Sequence, residues 1–338
     1  MTTASLAFLF GLATTSLVAA ESTPPNALLV LAKADSTLAI VDPSTLKILA
    51  RVPAGPDPHE VIASSDGRFA YISNYGGGAY NTLGVVDLVE QKALAPVDLG
   101  ALRGPHGLVF VGGKVWFTAE AAKAIGSYDP ATKKIDWILG TGQDRTHMIF
   151  VWEDLKRIIT TNVSSATATI IEKSERKPGP GGHGGPPGGD WEETVVGVGR
   201  GDEGFDVSPD GKEIWVANAQ DGTVSVIDVA SKKVTRTLDA NVRGANRLKF
   251  TLDGKRVFIS SLGGGDLVIL DAATGEVVKR VKIGHGAAGI LMQPDGTRAF
   301  VACSPDNYVV TVDLKSLDVT GHLEVGKDPD GLAWAARK

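Results

Sequence analysis

Three of the six histidines in this 338-residue chain occupy the same position of a sequence repeat, and a glutamate occupies it in the next repeat. These residues are His59, His106, His147 and Glu203. Neutral imidazoles and a carboxylate are ligands that divalent metal ions prefer in proteins. If the repeats fold alike, the four side chains converge, and they predict a site for zinc, copper, magnesium or calcium.

Other polar residues stand at or beside the same repeat position. Arg145, Asn246, Arg247 and Asp330 could hold a small ligand, since a guanidinium recognises carboxylates and phosphates through paired hydrogen bonds. A second interpretation is equally consistent with the sequence. Polar side chains around a central opening can be satisfied by water alone, and exposed ion pairs contribute little stability.

The elements that must position these residues are short strands. In the segment 203–228, EGFDVSPDGKEIWVANAQDGTVSVID, apolar residues alternate within three runs, and Ser208–Gly211 and Asp221-Gly222 are turn signals between them. The same pattern recurs seven times at a period of roughly 40 to 45 residues, which is typical of a propeller blade of four strands. The sequence therefore predicts an all-β, seven-bladed β-propeller.

The two ends of the chain predict how the ring closes. The C-terminal end supplies only a first strand, at 331–334, whereas the N-terminal end begins with second, third and fourth strands at 28–31, 38–41 and 47–52. One closing blade shared by both ends would remove an exposed sheet edge. The propeller is expected to span 27–338.

The repeats resemble a known family. The segment WVANAQDGTVSVID at 215–228, together with YISN at 71–74 and the SPDG turn, resembles the YVTN repeat of YncE-like seven-bladed propellers. One repeat, with Gly-Pro-His-Gly at 104–107 and Trp-Phe-Thr at 116–118, looks more like virginiamycin B lyase. The first resemblance implies an exported binding or scaffold protein, and the second a metal-dependent enzyme.

Two segments fall outside the repeats. Residues 1–20 are apolar and uncharged with small residues near the end, which indicates a secretory signal followed by a short linker at 21–26. A periplasmic or secreted location is the expectation. Residues 176–190 are mostly glycine and proline, and they predict a loop inserted into one blade.

Composition and missing motifs narrow the function classes. The net charge of −5 and the lack of a basic run give no support for nucleic-acid binding, and no other apolar run reaches the ~18 residues of a membrane span. No C-x-x-C-H motif or phosphate-binding loop occurs, so no haem, nucleotide or flavin is expected. The single cysteine, Cys303, allows no internal disulfide, and a monomer is expected.

Two functions remain. In the first, the funnel at one face of the propeller binds a small molecule, a divalent metal or a segment of a partner protein. In the alternative, the same His/Glu ring belongs to a metal-dependent lyase or a lactonase-like enzyme, in which the ion polarises a carbonyl group.

Overall fold

The computed structural model describes residues 22–174 and 191–337, which form seven four-stranded antiparallel sheets. The sheets are arranged in a ring, and the first strand of each blade lies innermost. The predicted seven-bladed β-propeller is confirmed. Apart from strands, the described residues contain two 3-10 turns, Gly76–Gly78 and Glu120–Ala122. None of the helical segments in this part of the chain is long and apolar enough to cross a membrane.

Each blade runs outward from an innermost strand at the propeller axis to an outermost strand at the rim. Blade 1 contains β28 (Pro329–Ala336), β1 (Asn26–Ala32), β2 (Thr37–Asp42) and β3 (Lys47–Pro53). Blade 2 contains β4 (Pro58–Ala63), β5 (Phe69–Asn74), β6 (Thr82–Asp87) and β7 (Lys92–Asp98). Blade 3 contains β8 (Pro105–Val111), β9 (Lys114–Ala119), β10 (Ala124–Asp129) and β11 (Lys134–Gly140). Blade 4 contains β12 (Thr146–Val151), β13 (Arg157–Asn162), β14 (Thr167–Lys173) and β15 (Trp191–Gly197).

The remaining three blades follow the same order. Blade 5 contains β16 (Asp202–Val207), β17 (Glu213–Asn218), β18 (Thr223–Asp228) and β19 (Lys233–Leu238). Blade 6 contains β20 (Ala245–Phe250), β21 (Arg256–Ser261), β22 (Asp266–Asp271) and β23 (Val277–Lys282). Blade 7 contains β24 (Ala287–Met292), β25 (Arg298–Cys303), β26 (Tyr308–Asp313) and β27 (Val319–Leu323).

Burial along a blade follows the position of each strand. The second and third strands of blade 5, β17 and β18, are buried over nearly their whole length, because neighbouring blades cover both of their faces. The outermost strand, β19, alternates exposed and half-buried residues. Trp215 on β17 is fully buried and packs edge-to-face on Phe250 of blade 6, with 5.5 Å between ring centroids. The core is thus a ring of interfaces between blades.

The closing blade joins the two ends of the chain as expected. Strand β28 pairs antiparallel with β1, from Asn26 opposite Ala336 to Ala32 opposite Pro329. It is longer than the predicted 331–334, and Ala333 and Ala335 are almost fully buried. Strand β28 is therefore the innermost strand of blade 1.

The predicted turns have the chemistry that their sequence indicates. In the turn of blade 5, the N–H of Gly211 donates to the carbonyl of Ser208 at 2.7 Å, and the Ser208 hydroxyl donates to Asp210 at 2.6 Å. Gly211 has a φ of +73°, which favours glycine. This turn lies on the bottom face. The turns that lead into the innermost strands lie on the opposite, top face.

On each innermost strand, one residue follows the repeat position of His59. Around the ring, this residue is large in some blades and glycine in the blades between them. Four of the seven residues there are glycines, and a Cβ on any of them would collide with a carbonyl oxygen of the next blade: Gly107, Gly204, Gly289 and Gly331. The other three are Glu60, Met148 and Arg247. The glycines let adjacent strands approach closely around the axis, and the three large side chains are left to fill it.

Two predicted segments lie outside the described residues. These are the signal at 1–20 and the Gly/Pro-rich insertion at 176–190 between β14 and β15. The predicted linker at 21–26 precedes and slightly overlaps β1, which begins at Asn26.

Candidate functional site

All seven residues at the repeat position line one pocket at the top mouth of the axial channel, with a volume of about 360 Å³. They are the four predicted metal ligands, two predicted ligand-binding residues and one alanine: His59, His106, His147, Glu203, Asn246, Asp330 and Ala288. We call this cavity the top pocket. Arg145 and Arg247, the other predicted ligand-binding residues, also line it. The structure therefore brings together every residue that the repeat pattern selected.

A hydroxyl relay between blades fixes the position of these residues. In blade 3 the N–H of Gly107 donates to the Thr118 hydroxyl at 2.8 Å, and that hydroxyl donates to the carbonyl of His147 in blade 4 at 2.7 Å. In blade 6 the N–H of Arg247 reaches the carbonyl of Ala288 through Ser260 in the same way. Each relay ties the innermost strand of one blade to that of the next, so the ring is held by buried, satisfied backbone groups.

The three imidazoles form a contiguous cluster. The ring centroids of His106 and His147 are 3.9 Å apart, and those of His59 and His106 are 5.2 Å apart. The ring of Tyr75 lies 4.9 Å from that of His59 and 5.2 Å from that of His106. Side chains from blades 2, 3 and 4 therefore meet at one side of the top pocket.

His147 is held between two carboxylates. Its Nδ1 contacts Oε1 of Glu120, and its Nε2 lies 3.0 Å from Oε2 of Glu203, in an ion pair poorly aligned for a hydrogen bond. Tyr75 donates its hydroxyl proton to the other oxygen of Glu120 at 2.5 Å. We call Glu120, His147 and Glu203 the clamp. Two of its side chains are almost entirely buried, since those of Glu120 and His147 are 3% and 4% exposed, whereas that of Glu203 is 20% exposed.

The clamp fixes the charges of its members. Burial by itself lowers the pKa of His147, but the contacts with Glu120 and Glu203 outweigh it and raise that pKa to about 9. Burial acts in the opposite sense on Glu203, yet His147 and Arg145 hold its pKa down at about 2. At neutral pH the clamp is therefore an imidazolium between two carboxylates.

His106 differs from its neighbour. Its Nδ1 is buried without a hydrogen-bond partner among the described residues. Burial, reinforced by the positive charges of His147 and of other nearby groups, keeps its pKa well below the usual value. His106 is therefore a neutral imidazole with hydrogen-bonding capacity to spare. The third histidine, His59, places its Nδ1 3.1 Å from the carbonyl oxygen of Asp57.

Besides His147, three cations line the pocket in different states of pairing. Lys33 contacts Asp330 at 3.2 Å and Asp328 at 3.4 Å. Arg247 is buried and pairs with Glu60. Arg145 is 42% exposed, and its guanidinium makes only long contacts of 3.7 Å with Glu120 and Glu203.

Four residues of the site were not predicted: Lys33, Glu60, Tyr75 and Glu120. Glu120 could have been found from the sequence, because it stands near a repeat position that other blades mostly fill with asparagine or serine. Tyr75 could also have been found, since it opens a top loop that is longer in blade 2 than elsewhere. Lys33 and Glu60 sit in segments of ordinary strand and turn composition, and nothing in the sequence singles them out.

The predicted metal ligands lie together, but their present arrangement is not that of a metal site. Among residues 22–174 and 191–337, no group of three or more His, Cys, Asp or Glu side chains is spaced to hold an ion. His147 and Glu203 contact each other instead. The metal site remains a prediction.

A buried aspartate beside the clamp predicts how stability depends on pH. Asp202 is fully buried, and its Oδ1 has no hydrogen-bond partner in the described chain. Burial raises its pKa to about 7, against the effect of the Asn162 N–H, which donates to Oδ2 at 2.8 Å. The folded state therefore binds the proton more tightly than the unfolded state, so this residue's contribution to stability declines as pH rises from about 4 to 7. In the Asp202→Asn variant this decline should be absent.

The measurement is the melting temperature between pH 4.5 and 6.5. In that range the melting temperature of Asp202→Asn should rise relative to that of the wild type as pH increases. Asp210→Asn, in an exposed turn on the bottom face, should keep the wild-type slope. Equal slopes in the wild type and Asp202→Asn would contradict the assignment.

Comparisons with known proteins agree on the fold. The family model described as the cytochrome D1 heme domain matches residues 190–328, which is less than half of the chain. No curated protein sequence matches this chain.

Solved structures match over most of the chain at low identity. Kuenenia stuttgartiensis hydrazine synthase has 18% identity and a TM-score of 0.71, covering 91% of this chain and 100% of that one. A putative 6-phosphogluconolactonase from Bacteroides uniformis ATCC 8492 has 17% identity and a TM-score of 0.72, covering 91% and 99%. The dihydro-heme d1 dehydrogenase NirN, solved with DHE, has 16% identity and a TM-score of 0.63, covering 92% and 75%. At these identities the likeness shows the fold: this chain is a seven-bladed β-propeller of a kind shared by proteins with different names and activities.

Proposed function

We propose that this chain is a YncE-like binding propeller whose top pocket takes a small anionic ligand. The observation that carries the proposal is the weak pairing of the Arg145 guanidinium at the mouth of the top pocket. The Arg145 guanidinium is 42% exposed and makes only long contacts of 3.7 Å with Glu120 and Glu203, so it can still donate to a ligand. His106 lines the same pocket, but its unpartnered Nδ1 is itself buried. A charged hydrogen-bond donor such as the Arg145 guanidinium, without a close partner in the described chain, is a group that a bound ligand can satisfy.

At the side formed by blades 3 and 4, Arg145 and the imidazolium of His147 balance the carboxylates of Glu120 and Glu203, and Arg145 is the more exposed of the two cations. Arg145 is always protonated, and His147 stays protonated up to a pH of about 9 because its pKa is raised to that value. A carboxylate or phosphate can accept both N–H bonds of one edge of the Arg145 guanidinium. Asn246 and Asp330, farther around the ring, can fix the other end of the ligand through hydrogen bonds.

The state of the clamp favours binding over catalysis by proton transfer. A general acid or base works best when its pKa is near the working pH. The pKa values of His147 and Glu203, about 9 and about 2, lie well to either side of neutrality, and that of His106 is far below it. The lyase or lactonase alternative would need one of these groups to exchange a proton during turnover. We therefore rank binding first and metal-dependent catalysis second.

The anion proposal predicts a loss of binding when Arg145 is replaced. Succinate, citrate and inorganic phosphate are the probes, with affinity measured by calorimetry and by the rise in melting temperature that any ligand of the native state causes. At least one probe should bind the wild type, and Arg145→Met should weaken it roughly tenfold or more, since a charge-assisted pair contributes about 1.5–3 kcal/mol.

Arg243→Met is the matched control, because Arg243 lies on a top-face loop with its guanidinium on the carbonyl of Gln220 at 3.0 Å. That variant should bind like the wild type. If both arginine variants lose the same affinity, the effect is general surface charge, and the assignment to the top pocket is wrong. Failure of all three probes in the wild type would reject the anion proposal.

A divalent metal is the second candidate, and one contact favours it. Glu120 accepts from Nδ1 of His147, which is the arrangement that orients the other nitrogen of a histidine toward a metal. His59, His106, His147 and Glu203 would then be the ligands. The ion would have to separate His147 from Glu203, so the proposal includes a rearrangement of the clamp.

Metal binding should appear as a rise in melting temperature when zinc, copper, magnesium or calcium is added to metal-free protein. His106→Ala should lose most of that rise and keep its fold. His322→Ala, an exposed histidine on the outermost strand of blade 7, should keep the rise. If no ion shifts the wild type, or His106→Ala responds fully, the ring is not a metal site.

The partial match to the cytochrome D1 heme domain raises the question of a haem cofactor, although the sequence predicted no haem. The imidazoles of the top pocket lie against one another as tilted rings, with 3.9 Å between the ring centroids of His106 and His147, so no slot for a macrocycle separates them. Both nitrogens of His147 face carboxylates. The pocket as built does not fit a haem, and the proposal stays with a smaller ligand.

We infer further that the protein is exported and acts as a monomer without a nucleic-acid partner. The support is the apolar segment 1–20 and the net charge of −5. N-terminal sequencing of the protein secreted or recovered from the periplasm should show cleavage close to residue 20.

A further inference from the structure

A second cavity lies on the propeller axis below the top pocket. It has a volume of about 470 Å³, and residues from the innermost strands of all seven blades line it. We call it the axial channel. Its lining on β24 and the following turn runs from Gly289 to Pro294. At about 3.3 Å per residue of a strand, the channel is roughly 16 Å long.

A plug of two charged residues and a methionine separates the channel from the top pocket. Arg247 lines both cavities, whereas Glu60 and Met148 line only the channel. These are the three large side chains at the level where the other four blades carry glycine. Arg247 pairs with Glu60, and the side chains of the two are only 8% and 14% exposed. The channel therefore opens toward the bottom face and is a site distinct from the top pocket.

The walls of the channel are mainly apolar. Ile62, Val109, Phe150, Leu291 and Trp334 come from five different blades, and each is only half-buried although it lies on the axis. Apolar side chains that leave a cavity between them lose contacts and gain them back when an apolar ligand enters. The shape and chemistry thus suit a narrow alkyl chain.

Of the two cations that line the channel, Arg247 belongs to the plug and Lys249 lies in the wall, where it selects the head group. Lys249 contacts Asp206 at 3.3 Å and is 39% exposed, whereas Asp206 is 17% exposed. Asp206 also accepts a hydrogen bond from the N–H of Phe250 at 2.9 Å, so its charge is satisfied twice. An ammonium group has three donors, which leaves Lys249 free to donate to a second carboxylate.

We propose that the axial channel binds a medium-chain carboxylate, with the alkyl chain along the apolar walls and the carboxylate on Lys249. The proposal does not depend on the anion proposal for the top pocket, since the plug divides the two cavities.

Decanoate is the probe, used at concentrations at which it stays monomeric, with decanol and decyltrimethylammonium as matched ligands. In calorimetry the wild type should bind decanoate, and it should bind decyltrimethylammonium at least tenfold more weakly. Lys249→Met should bind decanoate about tenfold more weakly and decanol as the wild type does, and Lys249→Arg should restore decanoate binding. Lys255→Met, an exposed turn lysine on the same face, should behave as the wild type. Failure to bind decanoate, or equal affinity for all three ligands, would overturn the head-group assignment.

A spectroscopic readout locates the alkyl chain. Bromine quenches indole fluorescence at contact distance, so decanoate brominated on its chain should quench the wild type through Trp334, the tryptophan that lines the channel. Trp334→Phe should bind with similar affinity and lose most of the quenching. Unchanged quenching in Trp334→Phe would place the chain elsewhere and reject the channel as the site. Arg145→Met should leave the quenching of Trp334 by brominated decanoate unchanged, which separates this test from that of the top pocket.

Discussion

Ending the chain after Val325 is expected to abolish cooperative folding or to lower the melting temperature by roughly 10 °C or more. The deletion removes β28, whose residues are buried at most positions and which pairs with β1 along nearly its whole length. It leaves β1 with an unpaired edge and takes away the strand that packs between β4 and β24. Thermal unfolding followed by circular dichroism tests the expectation.

A chain ending at Ala336 is the control. It keeps β28 and loses the contacts of Arg337 with Pro25 and Thr23 at the periphery of blade 1. Its melting temperature should lie within a few degrees of that of the wild type, since one or two exposed-edge hydrogen bonds contribute about 1 kcal/mol each. If the longer deletion melts like this control, ring closure does not stabilise the fold.

Replacing Glu120 by glutamine should cost about 3 kcal/mol in the free energy of unfolding at pH 6, because it breaks a buried ion pair and leaves only Glu203 to compensate the charge of His147. The pH dependence has a defined sign. The pKa of His147 is about 9 in the folded protein, above the unfolded value of about 6.5, so its contribution is complete below pH 6.5 and is lost as pH rises through 9. The gap between wild type and Glu120→Gln should therefore narrow toward pH 10.

Urea unfolding at pH 6, 8 and 10 measures this gap. Glu213→Gln is the control, because Glu213 pairs with Arg236 at 3.3 Å near the surface, where an ion pair contributes at most about 1 kcal/mol. Its effect should be small and should not narrow with pH. A gap for Glu120→Gln that is equally small, or that stays constant to pH 10, would mean that Glu120 does not hold His147 in its charged form.

The repeat made the fold and the membership of the site predictable. Once the seven units are aligned, chain order and strand direction place His59, His106, His147 and Glu203 at one mouth of the channel. The closing blade follows from the same alignment, because the units at the two ends are complementary. The propensity of a single short segment predicts its structure only weakly, but seven aligned copies of the same pattern all indicate the same structure.

The contacts within the site were not predictable in the same way. The clamp depends on Glu120 of blade 3 reaching His147 of blade 4, and on Glu203 of blade 5 turning toward the same ring. Side-chain direction between blades depends on rotamers and on the approach of neighbouring strands. The repeat pattern does not determine side-chain direction. The sequence therefore predicted His59, His106, His147 and Glu203 as metal ligands, although His147 and Glu203 pair with each other.

The order in which the blades can form during synthesis follows from the place of β28. Its pairing joins Asn26 to Ala336, at nearly opposite ends of the chain, and contacts of such long sequence separation slow folding. Blades 2 to 7 consist of consecutive strands and can each form as the nascent chain lengthens, whereas blade 1 must wait until β28 has been synthesised. The slow phase of refolding should therefore report ring closure, with an open, aggregation-prone arc of six blades as the species that precedes it.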